Sequence, residues 1–415
     1  MDLLAEPSVQ KARREGEKAL FEAIEDADGA SRERFSEIAD EITLNALVGL
    51  ADGYTGEDLP RLIMRASRTL EGGRVPGNRG LHDNPDTFYR LIPLDGESNF
   101  ILEGQASANP ATIFELSALT SEWHTLANLS KSDLGISPGS RFRIDFRPQG
   151  WTASVGADLE TSGAATDHEV TLSPDAEMLL VRETLADWTT ERPSLLTIEN
   201  RVDRGGPRKK DDSARVEAAS ARVAKWFREA IRLTLAPLAQ APNEFPAPVI
   251  SGEHGKLVTM AYSIGHFWVR PGHALVLTID PGSADYVGVP ITNLWGTTNR
   301  NLSTSASWNS KQTTPNRDGT FTCVLAVEDP GVHNWLDPDG LERGFLFVRW
   351  AGLGNSEDSA RPDTSPAISV QYVPTTSLKE ILPRETRWLG PDERQPMLDQ
   401  RRAQHALRFE EFTSE

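Results

Sequence analysis

Asp329-Pro330-Gly331-Val332-His333-Asn334-Trp335-Leu336-Asp337-Pro338-Asp339-Gly340-Leu341-Glu342-Arg343-Gly344-Phe345-Leu346-Phe347-Val348-Arg349-Trp350 divides into two turns, a loop and a strand. Asp329-Pro330-Gly331 and Asp337-Pro338-Asp339-Gly340 are turn signals, because Pro presets φ and Gly accepts positive φ. The short loop between them carries His333, Asn334 and Trp335. Phe345, Leu346, Phe347, Val348 and Trp350 then read as a buried strand with Arg349 inserted. A charge inside such a run must be paired or reach water, since burying it alone costs several kcal/mol.

A weaker copy of this arrangement lies upstream. Ser173-Pro174-Asp175 is followed by Met178-Leu179-Leu180-Val181-Arg182 and then Trp188, so Leu179–Arg182 parallels Leu346–Arg349. Tyr89–Pro93 with the strand 99–103 resembles Phe267–Pro271 with 274–279, and 111–116 matches 285–289 in position. Ser194–Ile198 matches Ile368–Tyr372. The ordered parallels predict a duplicated β-unit, with related topology in 87–200 and 266–373 joined through a helix near 214–236.

Working outward, residues 8–80 read as mostly helical, with apolar residues at three and four spacing over Lys11–Ile24, Arg32–Leu50 and Leu59–Leu70. From Thr87 the period moves toward two, most cleanly in Arg141–Phe146. Arg204–Ser213 is charged and glycine-rich, which predicts that 201–213 is a solvated loop and the first point of proteolytic nicking. Val216, Ala219, Val223, Trp226, Phe227, Ala230 and Ile231 line one helix face after it, and prolines from Pro237 onward end that helix. Ser377–Leu382 and Pro391–Phe412 read as a helical tail. The expected fold is mainly β: two related antiparallel β-sandwich or jelly-roll-like units, with a helical N-terminal region, a helical connector and a helical C-terminal tail. The expected boundaries are 1–80, 81–200, 201–250, 251–375 and 376–415.

The 415 residues carry 43 Lys and Arg against 61 Asp and Glu, a formal net charge of −18 that disfavours nucleic acid and anionic membrane as partners. The single Cys323 excludes an intrachain disulfide framework and any multi-cysteine zinc site. The first residues lack a basic stretch followed by an apolar core, and no apolar run approaches the roughly 20 residues of a membrane span. A soluble cytoplasmic protein is expected, and a homo-oligomer is compatible with the sequence.

Asp280-Pro281, Asp285-Tyr286, Asn293-Leu294-Trp295, Asp318-Gly319, Asp329-Pro330-Gly331, Asn334-Trp335-Leu336-Asp337, Gly340, Gly344 and Arg349-Trp350, in that order, resemble the bacterial family called domain of unknown function 1214. The resemblance covers roughly residues 255–355, and Asn84-Pro85-Asp86, Tyr89 and Asp95-Gly96 are similar to the upstream half of longer members. It implies a β-rich fold and brings no reaction, cofactor or catalytic residue. His333 departs from the pattern, which favours a small residue or Pro before Asn-Trp.

Several chemistries can be set aside. Gly135-Ile136-Ser137-Pro138-Gly139 fits the letters of an esterase elbow, but Pro138 has no N–H to act as oxyanion donor. His266 and His273 flank a turn rather than share a helix face, and His82 with Asp83 and Asp86 has no dedicated ligand spacing. Asp337-Pro338-Asp339-Gly340 lacks the distal Glu of a calcium loop. No phosphate-cradling glycine motif occurs, so neither metal nor nucleotide cofactor is expected.

The remaining chemistry sits at strand ends. His333, His82 and His124 are the acid/base candidates, with Asp86 placed to orient a histidine, because imidazole titrates near neutrality. Tyr89, Trp123, Asn293, Trp295, Asn334 and Trp335 offer flat apolar faces and paired donors and acceptors suited to a ring-containing ligand. Arg349 and Arg182 read as core arginines, with Asp329 and Asp187 as their expected partners. Two readings stay open. One is a cytoplasmic enzyme doing acid/base hydrolysis, elimination or isomerisation on a mostly apolar or ring-containing small molecule. The other is a non-catalytic carbohydrate- or lipid-binding β-sandwich protein. An enzyme should bring two titratable groups within hydrogen-bond reach in one closed site, whereas a carbohydrate platform should expose coplanar Trp faces.

Overall fold

The run at 345–350 is a strand buried on both faces, which is why it reads as almost continuously apolar. Leu346, Val348 and Trp350 point into one sandwich core, while Phe345 and Phe347 face two other apolar clusters. The computed structural model describes residues 3–24, 27, 29–48, 68–70, 73–75, 77, 79, 81–93, 99–120, 124–149, 165–200, 212–250, 259–298, 304–353, 365–390 and 392–408.

At the N-terminus α1 (Pro7–Ala23), α2 (Gly29–Glu33) and α3 (Phe35–Val48) precede a small hairpin of β1 (Arg68–Leu70) and β2 (Gly73–Val75). Residues 68–70 therefore form a strand, not the end of the helix expected over 59–70, whose other residues up to 67 lie outside the described residues. The first β-unit comprises β3 (Thr87–Pro93), β4 (Phe100–Gln105), β5 (Ile113–Leu119), β6 (Thr125–Ser130), β7 (Arg141–Pro148), β8 (Ala165–Leu172), β9 (Met178–Thr184) and β10 (Leu195–Asn200). The connector α4 (Asp212–Leu238) and the short β11 (Val249–Ile250) lead into the second unit. That unit comprises β12 (Met260–Trp268), β13 (His273–Asp280), β14 (Tyr286–Thr292), β15 (Ser307–Asn309), β16 (Phe321–Ala326), β17 (Trp335–Leu336), β18 (Arg343–Ala351) and β19 (Ala367–Pro374). The tail supplies α5 (Leu378–Ile381) and α6 (Arg394–Leu407). Of the solvated loop expected at 201–213, residues 201–211 lie outside the described residues, and 212–213 already belong to α4.

The two units have one topology. The first has sheets β3-β9-β5-β6 and β10-β4-β7-β8; the second has β12-β18-β14-β15, extended by β11, and β19-β13-β16-β17. Strand by strand the orders coincide, and in each unit the one parallel pair is the fifth strand with the sixth, β7 with β8 and β16 with β17. Each pair of sheets closes over its own apolar core: Phe100, Leu102, Phe142 and Val181 in the first, Leu275, Leu277, Val289 and Val348 in the second. Burying a side chain of this size contributes roughly 1.5–3 kcal/mol.

Cross-strand register corrects the residue-level matching. Tyr89 lies opposite Arg182, and Tyr262 lies opposite Arg349, so Tyr89 corresponds to Tyr262 rather than to Phe267. Both Phe267 and Tyr89 begin an aromatic-to-proline run, but β12 is longer than β3 and its aromatic end projects past the equivalent strand. The third strand of each set places Glu115 opposite Arg182 and Gly288 opposite Arg349. The outer faces of these two sheets meet, burying Ile113, Met260, Tyr262, Tyr286 and Phe347 in a seam between the sandwiches.

The helices cover one end of the second unit. Val9, Leu20, Ile38, Ile42, Val223 and Phe227 pack around Leu294, Trp295 and Phe345. At Gly16 any side chain would strike the Phe227 ring, so the absence of Cβ sets how closely α1 approaches α4. No helix among the described residues is long and apolar enough to cross a membrane.

Arg349 is 7 % exposed and does not use Asp329, which pairs with Arg394. Its guanidinium donates to the carbonyls of His82 and Phe347 and lies 4.0 Å above the Phe347 ring. Arg182 donates to Ser117 Oγ at 3.2 Å, while Asp187 is used by Thr189 and Thr190. Arg349→Ala is expected to lower unfolding free energy by about 2–3 kcal/mol in a urea titration, because a buried carbonyl and ring lose a charged donor. Arg349→Lys should recover only part of this, since an ammonium cannot fork to two carbonyls and stack.

Candidate functional site

The sequence-derived candidates fall into three neighbourhoods. At the seam, Asp86 is 1 % exposed and its carboxylate accepts three side-chain hydrogen bonds. Trp188 Nε1 donates to Oδ1 at 2.9 Å, while the Tyr286 hydroxyl at 2.6 Å and Asn309 Nδ2 at 2.9 Å donate to Oδ2. Asn84 Nδ2 donates to the Tyr286 oxygen at 3.0 Å, and Asn84 N–H donates to the Tyr89 oxygen at 3.1 Å. Burial and the adjacent Asp86 charge hold the Tyr286 phenol well above its usual pKa, so it stays protonated as a donor.

One face of α6 closes over this network. Arg394, Arg401 and Arg408 recur every seven residues, so they share a helix face, and each is at most 8 % exposed. Arg394 forks onto Asp329 at 2.8 and 2.9 Å and lies 5.1 Å over Trp335. Arg401 is held between Trp188 at 4.5 Å and Trp308 at 4.8 Å, and donates to Gln312 Oε1 at 2.8 Å and Ser307 Oγ at 3.1 Å. Arg408 donates to the Pro85 carbonyl at 2.7 Å and lies 4.6 Å over Trp188. Burial pulls both Arg401 and Arg408 down to about 10, partly offset by Asp86, so both remain charged at neutral pH. His405 stands edge-on to Trp188 at 5.4 Å and is held neutral by burial and by Arg408 and Arg401.

The second neighbourhood is structural in its contacts. Asn293 Oδ1 accepts from the backbone N–H groups of Trp295 and Thr297, at 3.0 and 3.2 Å, so it closes its own turn. Trp295 is fully buried, donates to the Ser31 carbonyl at 2.8 Å and packs on Phe35 and Phe21. His82 sits nearby at φ 52°, edge-on to Phe345, with Nδ1 3.4 Å from Thr292 Oγ1.

The third neighbourhood is a small cleft lined by Asn316, Thr322, His333, Asn334, Leu382 and Arg387, among others. Asn334 is locked from all sides: Oδ1 accepts from Thr314 N–H at 3.0 Å, and Nδ2 donates to the carbonyls of Thr314 and Thr322 at 3.2 and 2.9 Å. That lock leaves Asn334 Oδ1 as an acceptor toward His333 Nδ1 at 2.9 Å, so Nδ1 carries the proton and Nε2 bears the lone pair. Burial, with Arg387, Arg394 and Arg401 nearby, pulls the His333 pKa below its usual value despite the Asn334 bond. Trp335, next in the chain, is 7 % exposed and donates to the Ala326 carbonyl at 2.9 Å.

His333, Asn334 and Trp335 are thus brought together, as are Asp86 and Tyr89, through Asn84. The Trp308 ring links the two groups, 5.0 Å from His333 and in contact with Arg401. His124 is exposed at the β5–β6 hairpin, where its N–H meets Thr120 Oγ1. Trp123 lies outside the described residues. Sequence reading missed Tyr286, Asn309, Arg401 and Arg408 as partners of Asp86, and His405 as a neighbour of Trp188. The seven-residue arginine spacing of the tail was the available signal.

No protein-family model and no curated protein matches the chain. Among solved structures, it is similar to an uncharacterized protein from Burkholderia cenocepacia at 20 % identity, covering 91 % of this chain and 99 % of that one with a TM-score of 0.71. A Vibrio parahaemolyticus protein aligns at 12 % identity over 70 % of this chain and 90 % of its own, with a TM-score of 0.40. The first likeness extends the fold to a second protein across nearly its whole length.

Asp86→Asn should cost about 3–5 kcal/mol in denaturant titration, because an amide offers one acceptor oxygen to three donors and removes the carboxylate charge that faces Arg401 and Arg408. The neutral histidine has its own signature. His405 has a folded pKa below its unfolded value near 6.5, so its stabilisation is complete above that pH and lost as pH falls below it. Thermal unfolding followed from pH 8 to 5 should drop less steeply in His405→Gln than in the parent.

Proposed function

We propose that the chain is a cytoplasmic enzyme that performs acid/base chemistry on a small ring-containing molecule presented at the mouth of the His333 cleft, whose interior of about 10 Å³ has room for one water rather than for the ring itself. The observation that carries this reading is the His333–Asn334 pair. A general base needs a fixed tautomer, a lone pair turned away from its orienting partner and a pKa that leaves it unprotonated near neutrality. His333 meets these needs through the Asn334 lock, and its lowered pKa keeps the imidazole neutral. Arg387 lines the same cleft and is suited to hold an anionic oxygen of the substrate or the negative charge that develops on proton removal. Asn316 and Thr322 beside it favour a ring bearing hydroxyl or carboxylate groups over an apolar one. The class of reaction is proton abstraction leading to elimination or isomerisation, or activation of water for hydrolysis.

On this reading Asp86 is a positioning and stability residue, since its oxygens are engaged by Trp188, Tyr286 and Asn309. The resemblance of residues 255–355 to the domain of unknown function 1214 family supports no more specific chemistry. A non-catalytic sugar-binding role is the second reading. Trp388, 38 % exposed and bridged to Val332 at the cleft, offers one stacking face for it.

Incubating the full chain with a polar small-metabolite extract in deuterated water, followed by mass spectrometry, separates the two. Turnover or deuterium labelling of one component is expected, reduced by about 10²–10⁴-fold in His333→Gln at an almost unchanged melting temperature. The acid limb of the rate profile should have its midpoint below 6.5, in the direction set by burial. A compound retained without turnover, equally by parent and variant, would instead support the binding role and refute the base.

A further inference from the structure

A β-sheet edge with unpaired N–H and C=O groups invites another strand, and folded proteins guard such edges with charges, bulges, shortness or burial. The edges of this molecule follow that rule at every described strand but one. β3 is largely buried, and β6 is paired to β5 through a register shift at Ala118 and Leu119. β8 carries His168 and exposed Glu169, and β10 has Glu199 in its sequence. β1, β2, β11, β15 and β17 are two or three residues long.

β19 is the exception. Ala367-Ile368-Ser369-Val370-Gln371-Tyr372-Val373-Pro374 is eight residues long, has no charged residue and pairs with β13 in an unbroken register. Among the described residues it is the outermost strand of its sheet. Its exposure is high along the length, with Tyr372 at 42 %. At its C-terminal end Tyr372 stacks on His273 at 5.1 Å and receives the Arg270 N–H at 3.4 Å. Trp268, 41 % exposed, lies there between Arg270 and Arg343 at 5.6 and 5.2 Å. Exposed Trp, Tyr and Arg together are the composition of interface hot spots rather than of bare surface.

We propose that β19 pairs antiparallel with β19 of a second copy of this chain, joining two four-stranded sheets into one across a twofold axis. An antiparallel edge strand is its own complement about such an axis, and the absence of charge means that no like charges are forced opposite one another. The ends are complementary as well. Asp280 lies beside Ala367, and the Arg270–His273 turn lies beside Pro374, so the twofold sets the basic end of each copy against the acidic end of the other. A net charge of −18 opposes association through most other surfaces, which leaves this uncharged edge as the favoured contact.

Sedimentation velocity of the full chain across a wide concentration range tests this, paired with amide hydrogen exchange over 367–374. A dimer is expected, with the outward amides of β19 protected only at concentrations where it forms. Ser369→Lys with Gln371→Lys, both exposed positions, places lysines opposite lysines across the axis and should weaken the dimer at least tenfold without lowering the melting temperature. Ser369→Thr with Gln371→Thr should keep it. A chain that stays monomeric throughout would overturn the proposal. So would a dimer that survives the lysines with β19 amides exchanging freely.

Discussion

A single buried carboxylate ties the parts of this chain together. Asp86 takes one donor from the first sandwich, Trp188, and two from the second, Tyr286 and Asn309, and lies within the field of Arg401 and Arg408 from the terminal helix. Removing a carboxylate from water costs several kcal/mol, and only good geometry with charge compensation offsets it. Here that compensation comes from three separate segments, so the seam, the second unit and the tail each depend on the others being in place. Losing any one would leave a charge or a cluster of donors stranded in an apolar setting.

Duplication explains where this centre lies, and divergence explains how it works. The two sheets that meet at the seam keep the same Tyr-Arg cross-strand pair, Tyr89 with Arg182 and Tyr262 with Arg349. The third strand does not keep its residues. Where the first unit has Ile113 and Glu115, the second has Tyr286 and Gly288. A side chain at 288 would collide with the Tyr286 hydroxyl, so the glycine is what lets that phenol lie across its own strand and reach Asp86. Glu115 instead turns to Thr259 and Asn128, at 2.6 and 2.7 Å, and burial raises its pKa. An inherited symmetry in the strands thus carries an asymmetric polar network.

The architecture was legible in the sequence because it rests on local signals. Leu179–Arg182 and Leu346–Arg349 pack alike because they lie in equivalent strands of two matching sheets, β9 between β3 and β5 and β18 between β12 and β14, and period-two runs with turn residues between them revealed the strands. Residue register was not legible. A run such as Phe267–Pro271 can be slid along Tyr89–Pro93 without changing its apolar pattern, and only cross-strand pairing shows the five-residue offset. His333 and Asn334 were readable as a loop pair, but the lock on Asn334 depends on Thr314 and Thr322, which come from a separate segment. The roles of Arg401 and Arg408 depended on where a terminal helix docks, which its own periodicity does not specify.

The cleft around His333 occurs in the second unit for a reason that duplication alone does not provide. Its floor is built by the return of the chain from β16 to β17, where the Val324 N–H donates to the Asn334 carbonyl and β17 runs parallel to β16. Its opposite wall comes from 382–387, chain that follows the last strand of the duplicated pattern. The His333 N–H donates to the Arg387 carbonyl at 2.9 Å, and Arg394 reaches back to Val332 and Asp329. In the first unit the next described element after β10 is the connector α4, whereas in the second unit β19 is followed by 382–387 and α6. The cleft therefore belongs to the junction of a duplicated loop with an added tail, and a tail anchored by arginines on Trp335, Trp308 and Trp188 sets how firmly that junction is held.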